Sequence, residues 1–298
     1  MALAECNTTV DKSGRELVTH GTTAFPIACY QDDFRIMDVP WHWHQEWEAV
    51  IITHGSCVVA AGNRKVTLCA GEGFFINAGV LHGCWDGTGS GCMFHSIVFH
   101  PRLVGGSLDS IFHQGYVQPL LDNPGLELVT LDPLIPWQEQ ALEAIETAWQ
   151  QCVREEQGYV FRVRSALSEL AVLLHSNIPC TIQPAGTKAM RDGERIKAML
   201  SCIHEYYGSE LNTEKIAASA SISESECLRC FRSTIGTTPI QYLKQYRIQQ
   251  AARQLSETDD KVADIASRCG FQDMSYFTRA FRELKGCVPT QYRKNASP

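Results

Sequence analysis

Several features are missing from the 298-residue sequence, and each absence narrows its class. No stretch approaches eighteen consecutive apolar residues, which excludes a membrane-spanning helix. The N-terminus has no basic stretch followed by an apolar core, so no secretory leader is expected. Thirteen cysteines are present, yet no second pair is spaced to complete a zinc site with Cys227 and Cys230. Scattered thiols, odd in number and without a leader, are expected to be reduced, mostly buried and cytoplasmic. No separate acid–base pair of an enzyme is recognisable, so no catalytic residue is assigned.

What is present is unevenly divided. The formal charge is −7, but residues 187–298 hold 17 basic and 13 acidic side chains, net +4, and residues 1–186 hold 9 and 20, net −11. A mildly basic module joined to an acidic one suits a DNA-binding half and a second half with another task. At this length two domains are expected.

The basic half is organised around residues 262–293. Val262, Ile265, Ala266 and Cys269 fall on one helical face, and Gly270 ends that helix. Asp273 is placed to cap the next helix, whose apolar face reads Phe277, Ala280, Phe281 and Leu284. Gly286 closes it. Two short helices around a Gly turn predict a helix-turn-helix. The pattern occurs a second time about fifty residues upstream: Ile216-Ala217, Ile222, Phe231-Arg232, Gly236, Pro239 and Tyr242 match Ile265-Ala266, Phe271, Phe281-Arg282, Gly286, Pro289 and Tyr292, with one residue fewer in the first copy. Ser223 and Glu226 have the spacing of a capping box at the start of the first recognition helix. Thr238-Pro239 opens a long helix between the copies.

This tandem resembles the DNA-binding domain of the AraC/XylS family of bacterial transcription regulators, over roughly residues 195–293. The resemblance implies double-stranded DNA as partner, a homodimer, a contact with RNA polymerase, and more often activation than repression. Side chains left off the apolar faces are the expected DNA contacts: Ser225, Leu228, Arg229 and Arg232 on the first helix, and Met274, Ser275, Thr278, Arg279 and Arg282 on the second. By the family pattern Ser225, Leu228, Arg229, Met274, Ser275 and Arg279 take base-reading positions. Arg229 and Arg279 are the best suited, because a guanidinium donates twice to a guanine edge. Arg232 and Arg282, a turn later, suit phosphates. Glu224 and Glu226 are unfavourable beside phosphates.

In the acidic half, short Val/Ile/Phe-rich runs alternate with glycine turns from Asp38 to His100, predicting strands at 49–53, 57–60, 65–68, 74–76 and 93–99. Among them stand His42-Trp43-His44, Glu48 and Gly55, then Gly71, Asn77, Gly79 and His82. This spacing resembles the two cupin motifs, with Asn77 in place of Pro and Asp86 in place of Asn. In metal-binding cupins the matching side chains hold a divalent ion, which would make His42, His44, Glu48 and His82 the ligands. His42 and His44 share one face of a strand, and imidazoles with a carboxylate suit a divalent transition metal. The same groups can instead hydrogen-bond a small effector or stiffen the barrel. Trp43 and Trp85 are added to a ligand-binding set with the four, since aromatic walls with few polar groups make small-molecule pockets. By period two, Trp41, Trp43 and Trp47 fall on the opposite face from His42 and His44.

Short helices are expected near 108–113 and 117–121. Pro136 opens a long helix with Leu142, Ile145, Trp149 and Cys152 on one face; past Gly158, Val160, Val163, Leu167, Leu170 and Leu174 repeat the pattern. The two helices are expected to pack on the barrel, and the family resemblance implies that one of them, the second having the cleaner seam, also makes the dimer interface. The expected architecture is α+β and two-domain: a cupin-like effector-sensing barrel at 1–135, a helical dimerisation segment at 136–176, a linker at 177–192, and an all-α domain with two helix-turn-helix units at 193–298. The expected function is sequence-specific transcription regulation in response to a small molecule. A metal-dependent cupin enzyme, or a metal or redox sensor, fused to a DNA-binding domain is the competing reading.

Overall fold

The computed structural model describes residues 3–4, 10–11, 14–33, 39–62, 64–87, 91–123, 125–179 and 188–296. The chain divides into two compact units, one formed mainly by Arg15–Ala189 and the other by Met190–Pro298. Much of the linker expected at 177–192 falls on residues 180–187, outside the described residues.

The first unit is an antiparallel β-structure with flanking helices. Its strands, among the described residues, are β1 (Ile27–Asp33), β2 (Val39–His42), β3 (Trp47–Ala61), β4 (Arg64–Cys69), β5 (Gly73–Ile76), β6 (His82–Asp86), β7 (Cys92–Phe99) and β8 (Leu128–Leu131). The order β1-β7-β3-β5-β8 makes one sheet; β4 and β6 join the C-terminal half of β3, and β2 joins β6. β3 therefore belongs to two sheets. The sequence suggests two strands broken at Gly55, and the structure corrects this to one strand that bends. Ile52 pairs with Phe94 and His54 with Met93, so β3 carries one extra residue there. Gly55 follows at φ +74°, and a Cβ on it would run into the carbonyl of Gly91.

The extra residue reverses the parity of the strand. Before it, Trp47 and Ala49 face the helices while Val50 and Ile52 face the interior; after it, Cys57, Val59 and Ala61 are the interior residues. The interior layer is completed by Leu68, Phe74, Ile76, Cys84, Cys92, Phe94 and Leu128. The opposite face of the larger sheet is covered by α3 (Pro136–Arg154) and α4 (Tyr159–Asn177) through Leu142, Ile145, Trp149, Val163, Leu167, Leu170 and Leu174. Trp149 also donates its Nε1–H to the Tyr30 carbonyl at 3.0 Å and stacks on His95 with ring centres 3.5 Å apart. Val160, expected in the α4 seam, is exposed. Before these, α1 (Arg102–Gly105) leads to a turn at 108–109; of the helix expected near 108–113 only the part from 111 onward forms, and it continues as a wide helical turn, His113–Val117, into α2 (Gln118–Leu121).

The second unit is all helical: α5 (Lys188–Tyr206), α6 (Thr213–Ser219), α7 (Glu224–Thr234), α8 (Pro239–Glu257), α9 (Val262–Arg268), α10 (Met274–Lys285) and α11 (Pro289–Ala296). α6–α7 and α9–α10 are the two helix-turn-helix units. α8 opens with a reciprocal capping box between Thr238 and Gln241. The box expected at α7 is only half formed: Ser223 accepts from the Glu226 N–H, but the Glu226 carboxylate turns to Arg229 and Arg195. Leu284, expected on the buried face of α10, is 36% exposed.

The turns of the two units share one backbone solution built from different residues. Gly270 at φ +79° donates to Ser267 O, and Phe271 N–H reaches Ala266 O at 3.0 Å. In the first copy Ser221 takes the same role at φ +55°, with Ile222 N–H reaching Ala217 O at 3.2 Å. A side chain in that region is strained by roughly 1–2 kcal/mol, so Ser221→Gly is expected to stabilise the fold slightly. Gly270→Ser should do the reverse by a larger amount, because a Cβ there meets Tyr207 O at 2.6 Å and the Arg247 guanidinium at 2.8 Å. Thermal melts of the two variants check this; equal shifts would show that the two turns are under the same constraint.

Candidate ligand pocket and DNA-reading surface

The bend in β3 builds the first site. His82 is the cross-strand neighbour of Ala61 at the far end of β3 and of His42 on β2. Glu48 lies near the beginning of β3, yet His82 Nε2 and Glu48 Oε2 are 2.9 Å apart. One donor atom from each of His42, His44, Glu48 and His82 falls within 4.8 Å of all the others. The three imidazoles are buried, and the His42 and His82 ring centres are 4.2 Å apart.

The backbone orients these rings. His42 Nδ1 lies 2.8 Å from Pro40 O, His82 Nδ1 2.8 Å from Val80 O, and His44 Nδ1 3.1 Å from Glu46 O. A carbonyl only accepts, so each Nδ1 carries a proton and each ring turns its Nε2 into the cluster, where His82 Nε2 lies within hydrogen-bond distance of the Glu48 carboxylate. His44 Nε2 is buried without a hydrogen-bond partner, and Glu48 Oε2 is 3.6 Å away from it. Burial, reinforced by nearby His82, pushes His42 down to about 3, so this ring is neutral at pH 7. Burial opposes ionisation of Glu48, but His44 and His82 outweigh it and hold the carboxyl well below its usual range. A carboxylate among three inward-pointing imidazole nitrogens is an arrangement that a cation can complete. The donor set, with each outer nitrogen tied to a carbonyl, fits a divalent transition metal.

Sequence reasoning missed several members of this site. Glu16 and His20 come from a stretch with no motif or periodicity. Glu16 Oε2 is 3.0 Å from His20 Nε2 and 4.0 Å from His42 Nε2, and His20 Nδ1 is 2.8 Å from the Tyr30 hydroxyl. The segment is held by the Glu16 N–H donating to Trp43 O at 2.9 Å. Ser96, one strand over, donates to Glu48 Oε1 at 3.2 Å. Trp43 and Trp85 lie outside the four-residue cluster: Arg15 sits over Trp43, and Trp85 packs with Trp41 under Lys65. Trp47 lies on the helix-facing layer among Phe75 and Phe99.

Asn77 stands where the cupin motif has Pro, and the structure supplies a reason. Its side chain accepts from Trp47 Nε1 at 2.7 Å and donates to Leu120 O at 2.8 Å, all buried. It thereby locks the loop before His82 to the core.

The second site lies on the helix-turn-helix units. On α10, Met274, Ser275, Thr278, Arg279 and Arg282 line one open groove of about 700 Å³. Arg279 is exposed over the Tyr276 ring. Asp273 caps this helix through Tyr276 N–H at 2.8 Å. On α7, Ser225 and Arg232 are exposed, Leu228 is half-buried, and Arg229 is drawn into ion pairs with Glu226 and Asp192.

A buried cluster of polar side chains in an antiparallel β-unit, followed by two tandem helix-turn-helix units, is the arrangement of a ligand-responsive transcription regulator. Comparison with known proteins agrees. Residues 25–145 match the model of the AraC-like ligand binding domain and residues 216–295 match that of a helix-turn-helix domain. The chain is 28% identical over 293 residues to the uncharacterised HTH-type transcriptional regulator YdeC of Bacillus subtilis, covering 97% of this chain and 98% of that one. It is 25% identical over 276 residues to the HTH-type transcriptional activator RhaS of Pectobacterium atrosepticum, covering 86% and 88%. The crystal structure of ToxT from Vibrio cholerae is 10% identical, with a TM-score of 0.44, over 93% of this chain and 99% of that one. The chain belongs to the AraC family of transcription regulators. Among the described residues, no helix is long and apolar enough to cross a membrane.

Removing the Asn77 side chain leaves the buried Trp47 N–H and Leu120 carbonyl without partners. Asn77→Ala is therefore expected to lower stability by about 2–3 kcal/mol, read as a lower denaturant midpoint at unchanged slope.

Proposed function

We propose that this protein is a cytoplasmic, homodimeric transcription activator. In this reading its β-unit binds a small effector through a divalent transition metal held by His42, His44, Glu48 and His82. The observation that carries the metal is the convergence of three Nε2 atoms on one carboxylate, with every Nδ1 committed to a carbonyl. When bound, the ion supplies open coordination positions for an oxygen- or nitrogen-bearing effector. The chain's own residues do the rest: the carbonyls fix the rings, and Ser96 holds the second oxygen of Glu48. Activation is taken from relatives such as RhaS, which are named activators, and includes a contact with RNA polymerase. The dimer is assigned to α4, which leaves Phe161 75% and Val172 41% exposed along its outer side. No catalytic role is assigned, in keeping with relatives that are named transcriptional regulators.

DNA is read by α7 and α10, with α10 presenting Met274, Ser275 and Arg279 to base edges and Arg282 to phosphate. An effector shifts promoter occupancy only to the extent that it binds the active arrangement more tightly than the inactive one.

Metal analysis of the tag-free protein is the direct test. About one transition metal per chain is expected, lost in His42→Ala/His82→Ala; no metal in either protein rejects the metal, and the pocket is then a hydrogen-bonding site. For the DNA surface, Arg279→Ala is expected to weaken specific binding by about 1–3 kcal/mol and relax discrimination at one base position. Undiminished discrimination by the folded variant would remove Arg279 from the base-reading set.

A further inference from the structure

The two arginines at matching places in the tandem repeat are held in different ways. Counting back from Phe231 and Phe281, Arg229 matches Arg279, and the N-caps Ser223 and Asp273 match each other. The residue three before each arginine differs in kind: Glu226 on α7 and Tyr276 on α10. Arg279 lies 5.7 Å over the Tyr276 ring and makes no ion pair among the described residues.

Arg229 is instead surrounded by carboxylates. Its Nε donates to Glu226 Oε2 at 2.9 Å and its Nη2 to Glu226 Oε1 at 2.8 Å. The same Nη2 lies 3.0 Å and 2.9 Å from the two oxygens of Asp192. Arg195 bridges both acids, at 3.2 Å to Asp192 and 3.1 Å to Glu226. Asp192, with a side chain 13% exposed, is the most buried member. Burial works against its ionisation, but Arg229 outweighs this and holds the carboxyl below its ordinary range.

Two cations and two anions thus close a neutral network between α5, which carries Asp192 and Arg195, and α7, which carries Glu226 and Arg229. A carboxylate offers a guanidinium two acceptor oxygens, as a phosphate or a guanine edge does. We propose that Asp192, aided by Glu226, competes with DNA for Arg229, so that α10 leads base reading and α7 engages fully only when the Asp192–Arg229 pair parts. The inference rests on α7 and α10 facing DNA, as proposed above. The contest is winnable because Arg229 is 35% exposed, and ion pairs of that exposure are individually weak. It can also be regulated, because Asp192 lies only four residues into α5, whose first residue, Lys188, follows directly on the segment joining the two units.

The test uses the full chain and a duplex selected by the wild-type protein from a random-sequence pool. Affinity is measured against KCl concentration for wild type, Asp192→Asn, Glu226→Gln, Arg229→Ala, Arg279→Ala and the double variant Asp192→Asn/Arg229→Ala. Asp192→Asn is expected to bind about 10-fold tighter near 0.15 M salt, with a salt slope steeper by roughly one phosphate contact. That gain should vanish in the Arg229→Ala background, as coupling between the two side chains requires. Glu226→Gln, a change at a half-exposed position, should show the same sign with a smaller gain and decides the matter if Asp192→Asn does not fold. Wild-type affinity and slope in both folded single variants, or a gain that survives Arg229→Ala, would overturn the competition. Arg279→Ala separates the layers: its loss of binding beside unchanged Asp192→Asn leaves the DNA surface standing and removes only the competition.

Discussion

The bend in β3 is the constraint on which the sensor unit depends. Glu48 and Ala61 are thirteen residues apart on one strand, about 43 Å if it ran straight. Yet the residue paired with Ala61, His82, touches Glu48 at 2.9 Å. Only a strand that doubles toward itself satisfies both distances. The extra residue between Ile52 and His54, and the left-handed Gly55 after it, make that turn while keeping the backbone paired. The same residue reverses the side-chain parity, so both arms of the strand bury their apolar face and the histidines of β2 and β6 close over the carboxylate. Straightening β3 would separate the donor set and expose half the interior at once.

Once the bend is in place, the pocket is held by the backbone more than by its own side chains. Three carbonyls take the outer nitrogens of the three histidines, and Asn77 ties the loop before His82 to Trp47 and Leu120. The preference of this chain for Asn over the Pro of the related motif follows from that tie: a Pro has no side-chain amide to satisfy two buried groups. Glu16 and His20 then extend the cluster from outside the barrel strands.

The helical unit shows how a duplicated element diverges while its backbone stays the same. Both turns use a left-handed residue and the same pair of backbone bonds, but Ser221 stands where the second copy has Gly270, which also meets Tyr207 and Arg247 closely. Both recognition helices carry an arginine at the same place, but a Glu in one copy and a Tyr in the other give it opposite surroundings. One helix presents a cation on an open groove, and the other presents a neutral network. Equal fold therefore does not mean equal surroundings for the matching arginines.

The sequence by itself determined the two-domain order and the all-helical tandem, because these depend on local periodicity, capping and spacing within short stretches, while the four clustered donors were legible only through the resemblance to the cupin motifs. Helix stops at Gly270 and Gly286, the Pro136 start of α3 and the cap at Asp273 are of this kind. Only the tertiary structure decided that β3 is one bent strand, since Gly55 reads as a break when the register of β7 is unknown. Contacts across large sequence separations were equally out of reach: Glu16 to His42, Ser96 to Glu48, Asn77 to Trp47, and Asp192 to Arg229. Their signal is a distance between elements, and no periodicity within one element carries it. The half-formed capping box shows the boundary between the two levels: Ser223 and Glu226 have the right spacing, but Arg229 one turn on and Arg195, brought in from α5 by folding, offer the carboxylate stronger, charge-assisted partners than its own N-cap.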